Sequence, residues 1–342
     1  MISKKSIKNK ISGTQNYLIT WIKSFSGSLT ILCMIILTFL PFFSQAPAYV
    51  SYFIPQFTFF FIYAIFAASW DIVTGLAGQA NFGQSIFFGL AGYIGGALII
   101  EWGFELWIAI IISVIGTTII GFLVGIPALK IKGPYLMLVT LVLSFIILSV
   151  FAYSHSGWPF YGYEGISGLP KMSSNPIIEY FILYISLIIS FIIMMWISRS
   201  KFGTILKSIR DDEIGAEASG INTMKYKLYA FMLCALFSGL AGIYFGLHYQ
   251  TVNPAGNLSM SISFLAIIMA ALGGIATIKG SLVGAFFYVF LEFILIEIGI
   301  PLDAVRIVFS VILLLVIRFA NRGILAPLLE WLRNIWDALL GR

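Results

Sequence analysis

Apolar residues in this chain come in long unbroken runs rather than in stripes. Ile182–Ile197 reads ILYISLIISFIIMMWI, which is apolar around its whole circumference. Neither a helical nor a strand period separates a buried face from a wet one there. Comparable runs recur at about 29–48, 53–74, 84–100, 105–126, 134–154, 177–198, 226–249, 258–276, 282–299 and 302–320. A hydrocarbon core about 30 Å thick takes about 20 apolar residues as helix. A membrane barrel would instead alternate apolar and polar residues in segments of about 10. The pattern therefore predicts an all-α, polytopic membrane protein of about ten transmembrane helices.

Four polar breaks carry more than a turn. Residues 75–96, GLAGQANFGQSIFFGLAGYIGG, and 273–284, GGIATIKGSLVG, are dense in glycine. Glycine lets membrane helices approach closely, and it lets backbone bend where protein buries it. Gly78, Gln79, Asn81, Gly83, Gln84, Gly273 and Gly274 are accordingly candidates for a pathway wall of broken helices or for tight helix packing. The stretch at about 155–176, rich in Gly, Pro, Ser and aromatics, suits a partner-facing or gate-covering loop or an interfacial aromatic belt. The fourth break, Ser208–Lys227 (SIRDDEIGAEASGINTMKYK), is the most polar segment between spans.

Composition and charge then orient the helices. The chain of 342 residues is 60% hydrophobic and 10% charged, unlike any soluble surface. Its net charge of +6 need not imply nucleic acid, because Lys and Arg collect in cytoplasmic segments of membrane proteins. With ten spans and the N-terminus inside, 18 of the 20 basic residues fall on the inner side. Only Lys171 lies in an outer loop, and Arg306 lies just within the last span. The expected topology is N-in, C-in: a cytoplasmic segment 1–28, a membrane domain 29–320 with an inner loop at about 199–225, and a cytoplasmic tail 321–342. Lys4, Lys5, Lys8 and Lys10 precede an apolar run as in a signal peptide, but we read an uncleaved first helix.

Candidate chemistry is sparse. No Gly-Lys dipeptide occurs, so a P-loop is excluded, and no GxSxG or metal-binding Cys/His spacing is present. We expect no metal, no cofactor, no nucleic-acid partner and no enzymatic activity. Asp71, Glu292 and Arg306 are charged residues within spans, each needing a partner or water. Glu292 and Arg306 flank one outer hairpin and could pair, or could belong to a pathway. So few intramembrane carboxylates argue against an ion-coupled secondary carrier, and no repeated filter motif suggests a channel.

The polar island has its own helical signals. Asp211, Asp212 and Glu213 suit the first turn of a short helix, where acids meet the positive end of the dipole. Gly220 is placed to end that helix in a left-handed conformation, and Asn222 or Thr223 to cap the next. About 27 residues of ordered loop between two spans exceed what reconnection needs. A docking surface for a separate, energy-supplying protein competes here with a plain solvated face.

The island sequence RDDEIGAEASGINTMKYKLYAF resembles the cytoplasmic loop of permease subunits in branched-chain amino acid ABC importers, specifically the LivM type. Arg210, Asp212, Glu213, Glu217, Gly220, Asn222 and Lys227 occupy the matching places. GLAGQANFGQSIFFGLAGY at 75–93, ALKIKGPYLMLVTL at 128–141 and LGGIATIKGSLVGAFF at 272–287 resemble further family blocks in the same order. The resemblance covers about 55–325 and implies alternating access in a bacterial plasma (inner) membrane. It implies four kinds of partner: a second homologous permease subunit, two cytoplasmic ATP-binding subunits, a periplasmic solute-binding protein, and the surrounding membrane lipid. The residues Arg210 to Asn222 would form the ATPase-coupling loop. Ala80 to Gln84 depart from the family's Leu-Ser-Leu-Gly-His-like run, which leaves urea or short amides as alternative substrates.

Overall fold

The structure, a computed structural model, describes residues 34–42, 49–131, 133–155, 157, 159–319, 323, 327 and 330. Pro55–Leu325 forms one unit, and the described residues before it belong to another. In the latter, residues 34–39 are helical and pass into a 3-10 turn at Leu40–Phe42, and a π turn spans Tyr49–Phe53. The rest of the expected first span, the whole of segment 1–28 and most of segment 321–342 lie outside the described residues.

Helix α1 (Ile54–Asp71) runs directly into a π turn at Ile72–Leu76. There follow α2 (Gln84–Ile100), α3 (Leu106–Ala128), α4 (Pro134–Tyr153) and α5 (Pro176–Arg199). Two short helices, α6 (Lys201–Asp211) and α7 (Glu213–Ala218), lead into α8 (Thr223–Tyr249). A π turn at Pro254–Leu258 precedes α9 (Met260–Gly273), and α10 (Ile278–Glu297) and α11 (Leu302–Phe319) complete the series. Nine expected spans each coincide with a helix, their ends shifted by a few residues. Among the described residues, seven helical stretches are long and apolar enough to cross a membrane, and the shorter α2 is apolar as well. The chain is a mostly helical, multi-pass membrane protein.

Helix α8 lies at the centre, packed along α2 and α3. Small residues permit this. A Cβ on Gly242 would overlap the carbonyl oxygen of Phe88 in α2, and one on Gly121 in α3 would overlap the Ala235 methyl group. Without water to drive association, such van der Waals contact and a few interhelical hydrogen bonds hold membrane helices together. Ser113 Oγ of α3 donates to the carbonyl of Ala91 in α2 at 2.5 Å. On its other side α1 meets α5 and α10 through aromatic rings: Phe61 against Tyr180 at 5.0 Å and Phe57 against Phe290 at 4.8 Å between centroids. Helices α9 and α10 form a tight hairpin in which a Cβ on Gly273 would strike the Gly280 carbonyl.

The loop between α4 and α5 is pinned to the far end of α8. Ile166 and Ser167 pair antiparallel with Val252 and Thr251. The Leu169 amide donates to the Gln250 carbonyl at 3.1 Å, and Gln250 Nε2 returns a bond to the Leu169 carbonyl. At this same end Glu179 of α5 and His248 of α8 meet at 2.7 Å.

Candidate functional site

At the opposite end of α8, three segments far apart in sequence converge. The polar island forms the first. Ser200 separates α5 from α6, its side chain accepting from the Gly203 amide at 3.3 Å. Asp211, expected in the first turn of the short helix, instead closes α6. Asp212 stands just before α7 and caps it by accepting from the Gly215 amide at 3.0 Å, so Glu213 is the acid of that first turn. The end of α7 is a Schellman turn, with Gly220 N–H donating to Glu217 and Ile221 N–H to the Ala216 carbonyl. Gly220 takes φ +83°, a conformation that a Cβ disfavours. Asn222, rather than Thr223, caps α8 by accepting from the Lys225 amide. Glu217 accepts from Thr223 Oγ1 at 2.7 Å, fastening the two helix ends across the turn.

The island is also bound to the bundle by charged side chains. Glu213 forms an ion pair with Lys227 of α8 at 2.5 Å, the lysine only 3% exposed. Arg210 pairs with Asp211 at 2.9 Å and extends Nη1 to the Gly75 carbonyl at 3.0 Å. Gly75 lies in the π turn that ends α1. Hydrogen bonding shifts by one residue in such a turn and leaves a carbonyl for an outside donor. Gly78, at φ +68°, lies directly against Arg210, where a Cβ would crowd the arginine side chain.

The third segment is the α9–α10 turn. Asp71, fully buried at the end of α1, accepts from the Ala276 amide at 2.7 Å. Gly274 and Ala276 both have positive φ, so this turn presents its amide inward. The two glycine-rich regions and the island are thus joined through Gly75, Asp71 and Arg210. Among the described residues no cluster of His, Cys, Asp or Glu could hold a metal ion.

The remaining candidates of the first glycine-rich region form a buried polar knot. Gln84 Oε1 accepts from Asn81 Nδ2 at 3.0 Å and from Cys234 Sγ of α8 at 3.1 Å, while Gln84 Nε2 donates to Ser69 Oγ at 2.8 Å. Asn81 Oδ1 accepts from the Gly83 amide, and the Asn81 carbonyl accepts from Trp70 Nε1 at 2.7 Å. Gln79 donates to the Ala77 carbonyl. The Phe82 amide reaches Thr140 of α4, and the Ser85 amide reaches Ser263 of α9. Five helices are therefore joined here, and within this chain the geometry serves packing. Glu292 lies half-buried on α10, and the side chain of Arg306 on α11 lies outside the described part of the structure.

Residues 53–317 match the family described as branched-chain amino acid transport system / permease component. The chain belongs to this family. Among relatives of this permease-family chain is the high-affinity branched-chain amino acid transport system permease protein LivM of Escherichia coli. The two are 26% identical over 247 residues, 63% of this chain and 57% of the relative. The chain thus spans little more than half the length of that protein. The probable branched-chain amino acid transport permease protein LivM of Methanocaldococcus jannaschii is 25% identical over 317 residues, covering 78% of this chain and 91% of its own length. The ribose import permease protein RbsC of Escherichia coli matches over a shorter stretch, 27% over 127 residues, 36% of this chain and 40% of that one.

Several partners escaped the sequence. Lys227 reads as one more basic residue at a helix start, and its burial against Glu213 has no local signal. Asp71 and Ala276 lie 205 residues apart, and Arg210 and Gly75 lie 135 apart. The one available hint was that Asp71 is a carboxylate inside a span, where a partner is required.

Proposed function

We propose that this chain is the membrane-spanning subunit of an ATP-binding-cassette importer for branched-chain or related amino acids. The observation that carries the proposal is the connection of α6 to the first glycine-rich turn through Arg210 and Gly75, and of that turn to the second through Asp71 and Ala276. In the proposed complex, ten spans place both termini and the island in the cytoplasm. Two ATP-binding subunits dock on the island, a second homologous permease subunit completes the pathway, and a solute-binding protein delivers substrate at the opposite face. The relatives' names supply the substrate class.

The mechanism follows from stiffness. A short helix capped by Asp212 and stopped at Gly220 moves as one body when its exposed side is pushed. Ile214 of α7 is 76% exposed, an unusual position for a large apolar residue and a natural contact for a docking partner. Displacement of α7 acts on α8 through Glu213 and Lys227. Displacement of α6 acts on the end of α1 through Arg210 and Gly75, and from there on the α9–α10 turn through Asp71. Both walls of a pathway would then shift together, as alternating access requires.

The test is uptake by the reconstituted complex with its ATPase and binding protein. Glu213→Lys places two cations together and should abolish uptake while leaving membrane insertion intact. The exchanged pair Glu213→Lys with Lys227→Glu should recover part of it. Normal uptake by Glu213→Lys would remove the coupling role. Accumulation of solute by the chain alone, without ATPase, would remove the importer reading altogether.

A further inference from the structure

A cleft of about 760 Å³ opens between α3, α5 and α8, beside the joint at which α5 gives way to α6. Its body is apolar, with Trp196 on one wall and Leu233 and Leu236 on the other. Its mouth is different. Lys201, Phe202 and Tyr229 line it there, and Lys225 Nζ lies 5.9 Å from the centre of the Tyr229 ring. Both lysines are exposed, and no acidic residue lines the cleft. Trp196 turns outward with 72% of its surface exposed, as indole rings do at the boundary between hydrocarbon and head groups.

We propose that this cleft binds an anionic phospholipid, one acyl chain lying against Leu233 and Leu236 and the phosphate held by Lys201 and Lys225. The two ends of the cleft make opposite demands, and an amphiphile meets both. Tyr229 to Leu236 is about 10 Å of helix wall, against which a chain can lie extended. Basic pockets between membrane helices attract acidic head groups because the charge sits at the depth of the phosphates. An apolar helix from another subunit would fill the body and leave the two lysines without counter-charge. The bound lipid would touch Phe202 and so brace α6 where it leaves α5. Any effect on transport rests on the coupling reading above, but binding does not.

The experiment uses the full chain, purified both alone and within its assembled transporter. Each is exchanged into detergent and titrated with phosphatidylglycerol or phosphatidylcholine of identical acyl chains, and retained lipid is counted by native mass spectrometry. The wild type should retain phosphatidylglycerol over phosphatidylcholine by at least about fivefold, the scale of one lysine's attraction to an anionic surface. The double variant Lys201→Gln with Lys225→Gln, altered only at exposed side chains, should lose that preference. Leu233→Trp, which fills the body, should lower retention of both lipids. Equal retention of the two lipids by the wild type would overturn the proposal, as would an undiminished preference in the double variant. Lipid bound by the isolated chain but excluded from the assembled transporter would also overturn it, since a protein surface would then cover the cleft. Lipid binding without uptake would count against the importer reading and not against this site.

Discussion

Helices α4 and α8 are both long and apolar enough to cross a membrane, yet they occupy opposite positions. In α8, 78% of the most apolar stretch is buried within the protein, against 17% in α4. The buried helix is the less apolar one, carrying Cys234, Ser238, Gly239, Gly242 and Gly246 where α4 offers Leu, Val, Ile and Phe. A soluble protein would sort them the other way. Lipid accepts large apolar side chains as readily as a protein interior does, so hydropathy provides no reason to bury them. What earns a central position is a surface that backbones can approach and polar atoms that find partners. Helix α8 meets both conditions through Gly242 on Phe88, Cys234 on Gln84 and Lys227 on Glu213.

The contrast can be tested by substitution, beginning where the effect should be largest. Gly242→Leu forces a side chain into the α2 backbone. Overpacking of about 3 kcal/mol or more should leave little monodisperse protein by size-exclusion chromatography in detergent. Next comes Lys227→Met, which removes a buried cation and leaves Glu213 without it. Breaking a buried ion pair from one side removes about 3 kcal/mol in a fully enclosed site. The 23% exposure of Glu213 lowers this, so a clear but smaller fall in thermal midpoint is expected. Gln84→Leu deprives Asn81, Cys234 and Ser69 of one partner each, and a loss of about 2 kcal/mol should appear as a lower denaturation midpoint. Val142→Leu on the outward face of α4, 52% exposed, should shift the same midpoint by less than about 0.5 kcal/mol equivalent. A destabilisation by Val142→Leu comparable to that by Gln84→Leu would mean that α4 is packed against something and would end the contrast.

Much of the architecture was legible from one signal. Hydrophobic runs placed nine helices, because the length of a membrane helix is set by the thickness of the solvent it crosses. The island was readable in part, since caps are local. Gly220 after Ser219 and Asn222 before Thr223 each act within four residues of themselves, whereas the break between α6 and α7 falls one residue later than the run of acids suggests, at Asp212. The glycine-rich regions were recognisable as places of close approach, but not what approached them. Gly75 offers a carbonyl to Arg210, and Gln84 a carbonyl to Cys234, and neither type of contact leaves a periodic trace. The pairing of Glu179 with His248 was equally hidden, since 69 positions separate the two.

The sequence by itself determined that the chain crosses a membrane many times, that a capped helical island interrupts its later spans, and that its family is that of branched-chain amino acid permeases. These follow from composition, short-range hydrogen bonding and ordered motif blocks, all of which act or accumulate along the chain. Tertiary structure alone decided which helix stands in the middle and how the island is wired to α1, α8 and the α9–α10 turn. It also decided where an apolar cleft acquires a basic mouth. The central packing of α8 and the ties to α1 and the α9–α10 turn depend on contacts between residues 135 to 205 positions apart, and the tie to α8 on an ion pair that closes across a turn. In a membrane, where apolar surface is indifferent to its neighbour, steric fit and the pairing of scarce polar groups select among arrangements that hydropathy leaves equal.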